Sequence, residues 1–531
     1  MTVSGMYLVT NLCRGDYDKT FKNILFNFCL MFCAISFFAQ IYAAKNCYSN
    51  MSEVLGCFLS YNDGVYKYKF ISEESREGSD ITIKTYLLYS QKWPINKQED
   101  IPTTIWKHKL VIYIPKQISY PKTLLYVNGG RTKNIKGDEE FLSSKEQIDY
   151  VKIALSNKAP VVELQDVPNQ YLFFNNEPVK EDQILAYTYK KVMDDPLQNA
   201  YLAGHLPMAK AVLKAMDAVQ EIFKQERNID IKSFVLSGAS KRGWSMWLAA
   251  IQDDRVEAIV PIVMDILNTQ KSINHICGSY AGVCPLALMD YEKYEITKKI
   301  NTSAFSSLMA IEDPYNYLKD NYDGRYKARM TMPKYLINAS GDDFFVPDSS
   351  KWYFKNLPGE NNYIRYLPNA MHYFKGNAIS DSTGSLQAIN AALDSYFYFI
   401  LNKVSLPKVS WVLHSDKIEV VSSLKPSMVK LWVANNEHAR DFRFITSYSR
   451  FHLLMKKVFY YFSGSMGDNC YTEKSVPFDC GENTSCKIQV SLPAFKKGWQ
   501  ASFVELHYEI NQIPFIITTE VNIAPDVMPK G

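Results

Sequence analysis

The chain has 531 residues, with 59 lysines and arginines against 55 aspartates and glutamates, giving a formal net charge of +4. This length indicates two or three domains, and 47% hydrophobic with 14% aromatic residues excludes a largely disordered chain. So small a net charge, with no sustained basic stripe, argues against nucleic acid as a partner.

The first 44 residues are typical of an export signal. Basic residues precede an apolar run at 24–44, which ends in small residues suited to cleavage near Ala43 or Ala44. The polar stretch before this run is long for a cleaved signal, so an uncleaved membrane anchor is the alternative. Both interpretations predict an exported body, periplasmic or secreted, that meets a membrane only through this segment if it is retained.

Seven of the ten cysteines follow residue 44, and they fall into close groups. In an oxidising compartment, such groups predict local disulfides. The expected pairs are Cys47 with Cys57 and Cys277 with Cys284, and one of Cys470, Cys480 and Cys486 would be left over. The spacing fits no zinc-ligand pattern. We therefore expect neither a metal site nor a cofactor.

The first strands lead into a glycine pair. Strand-like runs occupy 66–70, 81–89, 108–114 and 124–127. The last of them runs directly into Asn128, Gly129, Gly130 and Arg131. In hydrolases with a nucleophile elbow, the second oxyanion donor comes from a loop of this kind, which selects Gly130. An ordinary glycine turn is the alternative, and Asn128 is a candidate substrate-binding residue.

Strands and helices then alternate. The expected elements are strands at 159–164, 233–237, 256–264, 334–339 and 363–367 and helices at 207–225 and 386–402. This order predicts an α/β-hydrolase-like domain over 45–404, with a doubly wound, mostly parallel sheet. The excursion at 266–332 is longer than an ordinary connection and predicts a lid.

The composition changes after Pro407. Short strand-like runs separated by turn residues follow, without a convincing long helix. They predict a C-terminal all-β, immunoglobulin-like sandwich over 405–531. Such a domain would be the surface for a cell-surface or host partner.

A nucleophile elbow is predicted around Ser240. A strand-type run leads through Gly238 and Ala239 to the serine, and apolar residues at helical spacing follow. A nucleophile elbow holds its serine on a strained turn between strand and helix. The usual Gly-x-Ser-x-Gly pattern is broken, because Arg242 stands where the second glycine belongs and Gly243 comes one position later. The alternative is a serine that only caps the helix.

A serine nucleophile needs a base and a group that orients the base. In α/β-hydrolases the chain order is serine, acid, histidine. Of eight histidines, His372 follows a strand shortly before the closing helix of the α/β part, where the base belongs. Asp343 is selected as the acid because it lies four residues before Pro347. Asp342 would then brace the turn, and Asp265, after the preceding strand, is the remaining candidate.

These residues define a reaction scheme. His372 would take the proton of Ser240, the acid would fix the imidazole tautomer, and the N–H of Lys241 with one near Gly130 would stabilise the oxyanion. The side chains of Lys241 and Arg242 would add positive charge there, which would suit an anionic substrate. Solvated surface charges are the alternative.

Several motifs are too long to be chance matches. They are SQKW at 90–93, VPNQ at 167–170, LPMAKA at 206–211, SGASKRGW at 237–244, PIVMDILN at 261–268, ARDFR at 439–443 and VELHY at 504–508. They resemble those of the PhoPQ-activated pathogenicity-related proteins, over about 61–525. The resemblance implies an exported α/β-hydrolase fold with a C-terminal β-sandwich and a link to virulence. It implies Ser240, Asp343 and His372 as site residues, with Asp265 inside a shared motif, and no particular substrate.

Two functions fit these observations. The first is an exported serine hydrolase that cleaves an ester or peptide bond in a small-molecule or peptide substrate. The second is a non-catalytic secreted signalling or host-interaction protein on a hydrolase scaffold, because a fold does not determine a function. A hydrolase should place the Ser240 hydroxyl within hydrogen-bond distance of His372, beside a cavity.

Overall fold

The computed structural model describes residues 48, 50–75, 80–143, 148–373, 382–443, 470–480 and 485–530. The export signal predicted at 1–44 lies outside the described residues. Within the described part of the chain, no helix has both the length and the apolar character needed to cross a lipid bilayer.

A nine-stranded sheet forms the centre of the first part of the chain. The strands up to residue 367, including two short hairpins, are β1 (Lys67–Ser75), β2 (Ile81–Trp93), β3 (Thr104–Pro115), β4 (Lys122–Val127), β5 (Gly130–Lys133), β6 (Glu139–Ser143), β7 (Val161–Leu164), β8 (Leu172–Phe174), β9 (Glu177–Val179), β10 (Ser233–Ala239), β11 (Val256–Ile262), β12 (Lys334–Ala339) and β13 (Asn362–Leu367). The order across the sheet is β1-β2-β3-β7-β4-β10-β11-β12-β13.

The pairing of neighbouring strands changes once across this sheet, from antiparallel to parallel. β1, β2, β3 and β7 are antiparallel neighbours, whereas every pair from β7 through β4 to β13 is parallel. The prediction of a mostly parallel sheet is confirmed. β10 lies in the middle of the parallel part, so its carboxyl end opens onto the edge where such sheets bind ligands.

Helices cover both faces of the sheet. They are α1 (Val54–Ser60), α2 (Tyr150–Asn157), α3 (Asp182–Asp194), α4 (Pro196–Asn199), α5 (His205–Arg227), α6 (Lys241–Gln252), α7 (Thr269–Ser279), α8 (Met289–Glu292), α9 (Ser303–Glu312), α10 (Gly324–Arg329) and α11 (Ser382–Leu401). Short 3-10 helices lie at Ala200–Leu202, Leu286–Leu288, Thr297–Lys299, Pro314–Leu318, Ser349–Trp352 and Phe354–Asn356. α5 contains Pro207 in its first turn, where a missing N–H costs nothing.

β10 separates two hydrophobic cores, because side chains alternate along a strand. Phe234 and Leu236 face the core that α5 and α6 complete. Val235 and Ala239 face the core that α2 and α11 complete. The parallel part of the sheet is therefore buried on both faces, which explains its near-continuous apolar strands.

The segment at 266–332 lies between β11 and β12 and contains α7 to α10. The Trp244 indole N–H of α6 donates to the backbone oxygen of Glu312 at 2.5 Å, which ties the end of α9 to the elbow helix. The segment predicted as a lid is therefore helical and packed against the helix that follows Ser240.

The last part of the chain is all-β. Its strands are β14 (Val409–Leu413), β15 (Lys417–Ser422), β16 (Met428–Asn436), β17 (Thr472–Ser475), β18 (Cys486–Ser491), β19 (Trp499–Ile510), β20 (Ile513–Thr518) and β21 (Asn522–Ala524). One sheet has the order β14-β15-β18 and the other β17-β16-β19-β20, with β21 beside β19, and all pairs are antiparallel. The C-terminal all-β domain is confirmed, and its immunoglobulin-like character stays a prediction.

Disulfides agree with the expected local pairing. Cys277 and Cys284 are joined, as predicted. Cys480 pairs with Cys486, which settles the choice that the sequence left open. Cys57 takes part in a disulfide, and its predicted partner Cys47 lies outside the described residues.

A buried ionic cluster joins the two parts of the chain. Arg440, after β16, has no exposed side-chain surface and reaches Asp348, with Nη2 to Oδ2 at 2.5 Å. Its Nη1 donates to the Ser279 hydroxyl at 2.7 Å. His275 Nε2 lies 2.9 Å from the same aspartate. The C-terminal domain thereby contacts both the 266–332 segment and the loop after β12.

Candidate active site

Ser240 lies on a strained turn between β10 and α6. Its backbone has φ 56° and ψ −127°, a region that non-glycine residues rarely occupy. Its N–H donates to the Ile262 oxygen at 2.8 Å, which fixes the turn to the neighbouring strand. Its hydroxyl makes no capping bond to α6. The interpretation of Ser240 as a mere helix cap is therefore wrong, and the turn has the geometry of a nucleophile elbow.

The glycines of the elbow are shifted by one position for a steric reason. A Cβ on Gly238 would lie 3.1 Å from the Val127 oxygen, and a Cβ on Gly243 would lie 2.8 Å from the Gly238 oxygen. The second close approach therefore falls on Gly243, three residues after the serine. Arg242 escapes the crowding because its side chain leaves the turn.

Arg242 runs into the protein instead of into the site. Its Nε donates to the Val167 oxygen at 2.7 Å, and its Nη2 donates to Glu181 Oε1 at 2.6 Å. A Cβ on Gly129 would lie 2.7 Å from Arg242 Nη2, so the glycine makes room for the guanidinium. Arg242 is 8% exposed and thus is neither a solvated surface charge nor available to a substrate.

The Lys241 side chain forms ion pairs with Glu181, which also binds Arg242, and with Asp182. Its Nζ lies 2.9 Å from Glu181 and 3.1 Å from Asp182. Burial would raise the pKa of the Glu181 carboxyl, but the charges of Arg242 and Lys241 outweigh it and hold that pKa below its usual range. The structure contradicts the expectation of free positive charge for an anionic substrate, because both cations are neutralised.

His372 lies between Ser240 and a carboxylate. Its Nε2 is 2.8 Å from Ser240 Oγ, and its Nδ1 is 2.8 Å from Asp342 Oδ2. Only 4% of His372 is exposed, and the Phe344 ring lies 4.4 Å away, centroid to centroid. Burial would lower the pKa of His372, but the charge and hydrogen bond of Asp342 outweigh it, so the pKa is raised. The imidazole is placed to take the serine proton.

The prediction that Asp343 is the acid partner is wrong. The carboxylate on the imidazole belongs to Asp342, whose Oδ1 also accepts the backbone N–H groups of Phe344 at 2.7 Å and Phe345 at 3.1 Å. These two amides fix the carboxylate with Oδ2 toward His372. Asp343 makes no hydrogen bond to the ring, and burial followed by the Asp342 charge raises the pKa of its carboxyl.

Asp265 accepts hydrogen bonds from two tyrosines behind the site. Its Oδ1 accepts from the Tyr353 hydroxyl at 2.5 Å and its Oδ2 from the Tyr366 hydroxyl at 2.7 Å. Burial raises the pKa of Asp265 to about 8, although the two tyrosine hydrogen bonds oppose this. With both oxygens occupied away from the histidine, the structure does not support Asp265 as the acid.

The two oxyanion candidates lie at different kinds of backbone position. Lys241 is the first residue of α6, where an amide N–H has no partner inside the helix. Gly130 begins β5 with φ 138°, and its carbonyl accepts from Gln170 Nε2 at 2.6 Å. The Gly129 N–H beside it already donates to Asn128 Oδ1 at 2.7 Å. Gly130 as the second donor stays a prediction.

Asn128 does not face a substrate. Its side chain is fully buried, and its Nδ2 donates to Glu163 Oε1 at 2.7 Å. Since its Oδ1 is also occupied, the assignment of Asn128 to substrate binding is wrong. The residue instead holds the loop that carries the glycine pair.

A cavity of about 60 Å³ lies beside Ser240. Its wall is formed by α3, the elbow helix, the segment after β11 and the loop after β12. The apolar side chains that line it include Leu185, Trp244, Ile273, Leu288, Phe305 and Phe344. Its lining is that of a site for a small, largely apolar group.

Sequence reasoning missed the acidic pair Glu181 and Asp182 and a second histidine in the cavity wall, His205. No local signal marks the acidic pair, because its basic partners lie about 60 residues away in the chain. His205 directly precedes the LPMAKA motif and is the first residue of α5, a position typical of an ordinary helix start. Among the described residues, no group of three or more histidine, cysteine or acidic side chains is placed to hold a metal ion.

The strand order and the site have the arrangement of the α/β-hydrolase fold: a serine on a strained turn after a central parallel strand, with an aspartate and a histidine after the last two strands. The chain belongs to the PhoPQ-activated pathogenicity-related protein family, whose sequence model matches residues 55–443. The match extends from α1 through the Arg440 cluster, so it includes the first strands of the β domain.

Known proteins with similar chains or structures include a proliferation repressor and several enzymes. Autocrine proliferation repressor protein A of Dictyostelium discoideum is 31% identical over 508 residues, covering 91% of this chain and 92% of that protein. Acetyl xylan esterase 1 from a Thermoanaerobacterium species has a TM-score of 0.39 and 14% identity, over 68% of this chain and 98% of the esterase. Acylaminoacyl peptidase of Pyrococcus horikoshii has a TM-score of 0.35 and 13% identity, over 65% of this chain and 51% of the peptidase.

Proposed function

We propose that this protein is an exported serine hydrolase that cleaves an ester or peptide bond. The observation that carries the proposal is the continuous hydrogen-bonded series from Ser240 Oγ through both nitrogens of His372 to Asp342, each contact at 2.8 Å. A hydroxyl in this arrangement has a base in reach and a carboxylate that fixes the base. The strained elbow and the adjacent cavity support the same function.

The reaction begins with proton transfer to His372 Nε2 as Ser240 Oγ attacks the carbonyl carbon of the substrate. Asp342 keeps the proton of the neutral ring on Nδ1 and stabilises the imidazolium that forms. The imidazolium then protonates the leaving group, which gives an acyl-enzyme on Ser240. A water molecule, deprotonated by the same imidazole, hydrolyses this ester and regenerates the serine.

The developing oxyanion needs donors that are already in place. The Lys241 N–H at the start of α6 is the first donor, and an N–H near Gly130 is the second. The Lys241 side chain has another role, because its ion pairs with Glu181 and Asp182 anchor the first turn of the elbow helix. Stabilisation of the oxyanion thus comes from the backbone, and the side-chain charges keep that backbone in place.

Steady-state hydrolysis tests this proposal. Purified mature protein should hydrolyse short-chain p-nitrophenyl esters, and Ser240→Ala and His372→Ala should each lower kcat by roughly 10⁴-fold or more. Both substitutions remove a few atoms at the site, so circular dichroism should show folded proteins. Activity that is unchanged in either variant would contradict the proposed reaction.

One observation favours a second function, an extracellular signalling role. The relative that aligns over 91% of this chain is named an autocrine proliferation repressor. On this alternative, the hydrolase scaffold presents a binding surface, with the C-terminal β domain facing a cell-surface partner. A growth assay on a responsive cell type separates the two: full repression by the Ser240→Ala protein would favour binding, and loss of repression would favour hydrolysis.

The proposal of export rests on the predicted leader and the disulfides of the described chain. Two disulfides, Cys277–Cys284 and Cys480–Cys486, fit an oxidising compartment. A link to virulence is suggested by the family description alone. Secretion is tested by fractionation of the native cells with an antibody against the mature chain.

A further inference from the structure

A second histidine and acid pair lies in the wall of the cavity. His205 begins α5 and Glu312 ends α9, and their side chains are 1% and 0% exposed. His205 Nδ1 lies 2.7 Å from Glu312 Oε2, and the His205 backbone N–H donates to Glu312 Oε1 at 3.2 Å. The proposed reaction uses neither residue, so the pair requires its own explanation.

The Glu312 contact determines the role of each ring nitrogen of His205. Because a carboxylate only accepts, the hydrogen in this contact is carried by Nδ1. The His205 ring stacks on Trp244, with centroids 4.7 Å apart and an interplanar angle of 18°, so its orientation is fixed. Nε2 is buried and has no hydrogen-bond partner among the described residues. A buried polar atom left unpaired is unfavourable, and a ligand group that pairs with it gains affinity.

The surroundings of His205 restrict what that ligand group can be. Most of the cavity wall is apolar, and it includes Leu185, Leu288 and Phe305. The charged groups in the wall, Lys241 and Asp182, are paired with each other at 3.1 Å. The cavity therefore accepts an uncharged, mostly apolar group that carries a hydrogen-bonding atom for the imidazole.

The geometry points to His205 as a specificity residue: the substrate group held in the cavity is an apolar chain that bears a hydroxyl, and this hydroxyl bonds to His205 Nε2. A hydroxyl both donates and accepts, so it pairs with Nε2 of a neutral or of a protonated ring. An unsubstituted chain leaves Nε2 unpaired, which a site built around a polar atom disfavours. This inference rests on the proposed function, since it names the substrate class of that same site.

Binding to the Ser240→Ala protein tests the inference without turnover. Calorimetry compares unsubstituted short-chain alkanamides with a set of isomers that carry one hydroxyl at successive positions. At least one hydroxylated isomer should bind about tenfold more tightly than the unsubstituted amide. Equal affinities across the whole set would overturn the inference.

Two substitutions at His205 distinguish the roles of its two ring nitrogens. In the Ser240→Ala background, His205→Asn keeps a donor toward Glu312 but removes the Nε2 end, so the preference for the hydroxyl should disappear. His205→Gln places an amide near the position of Nε2 and should restore part of it. His108→Asn is the matched control, because His108 is fully buried outside the cavity, against Ser90 and the Asp166 oxygen. A preference that survives His205→Asn would overturn the inference.

Hydrolysis by the wild-type protein reports separately on the proposed function. The substrates are p-nitrophenyl esters with the same hydroxylated and unsubstituted chains. Hydrolysis with no preference for the hydroxyl would reject this inference and leave the serine hydrolase intact. Hydroxyl-selective binding without any hydrolysis would reject the enzyme and leave the binding site for hydroxylated chains.

Discussion

At the scale of single residues, Asp342 holds its own loop and the imidazole at the same time. One carboxylate oxygen takes two backbone N–H groups of the turn, and the other contacts His372. The spacing to Pro347 wrongly favoured Asp343, which follows the same strand in the same Gly-Asp-Asp turn. Which aspartate contacts the imidazole depends on which carboxylate accepts the Phe344 and Phe345 N–H groups, and that is a property of the folded turn.

Asparagine at the two aspartates gives a direct comparison. Asp342→Asn should lower kcat for ester hydrolysis by roughly 10⁴-fold, because the amide no longer selects the productive tautomer of His372. Asp343→Asn should lower kcat by less than about tenfold, since this carboxylate makes no bond to the imidazole. Steady-state kinetics on both variants checks the assignment, and the reverse order of effects would restore Asp343 as the acid.

At the scale of elements, the elbow is the unit that the sequence predicts well. Strand, turn and helix around Ser240 all follow from residue pattern, and so do the other strands of the sheet and helices α5 and α11. The irregular glycine spacing could not be explained from the sequence, because its cause is distant. Arg242 can occupy the usual glycine position only because Glu181 and the Val167 oxygen bind its guanidinium.

Gly243→Ala tests the shifted glycine pattern. Alanine normally stabilises a helix relative to glycine by up to about 1 kcal/mol, but here its Cβ would lie 2.8 Å from the Gly238 oxygen. The substitution should therefore lower the unfolding free energy and the rate of ester hydrolysis. Gly324→Ala is the matched control, because that helical glycine has no atom within 4 Å of its added Cβ. A Gly243→Ala protein as stable and active as the wild type would contradict this packing.

At the scale of the whole molecule, the β domain is part of the structure behind the active site. Arg440 reaches Asp348, and Asp348 ends the loop that carries Asp342. The sequence predicted two domains of the correct classes, and the ARDFR motif marked the residue that joins them. It could not show the junction itself, because the partners His275, Asp348 and Arg440 come from three separate parts of the chain.

Arg440→Ala should destabilise the protein by about 3 kcal/mol or more, because it leaves Asp348 buried without its guanidinium. Urea denaturation at neutral pH measures this loss. Lys408→Ala, which removes an exposed ion pair with Glu360, is the control and should change stability by less than about 1 kcal/mol. An Arg440→Ala protein that is no less stable than this control would contradict the structural role of the cluster.

The pH dependence of stability is a second test of the cluster of Arg440, Asp348 and His275. Burial would raise the pKa of Asp348, but His275 and Arg440 outweigh it and hold the pKa well below its usual range. The stability that this ionised carboxylate contributes is therefore present at neutral pH and is lost as the pH falls below about 4. The Arg440→Ala protein should lose less stability on acidification than the wild type, whereas equal losses would show that Arg440 does not set this pKa.

The central claim is that His372 and Asp342 activate Ser240, and labelling with a fluorophosphonate probe tests it most directly. The folded wild-type protein should be labelled at Ser240, identified by peptide mass, and labelling should vanish in Ser240→Ala and His372→Ala. No labelling of a folded wild-type protein whose site admits the probe, or equal labelling of the His372→Ala protein, would contradict an activated serine.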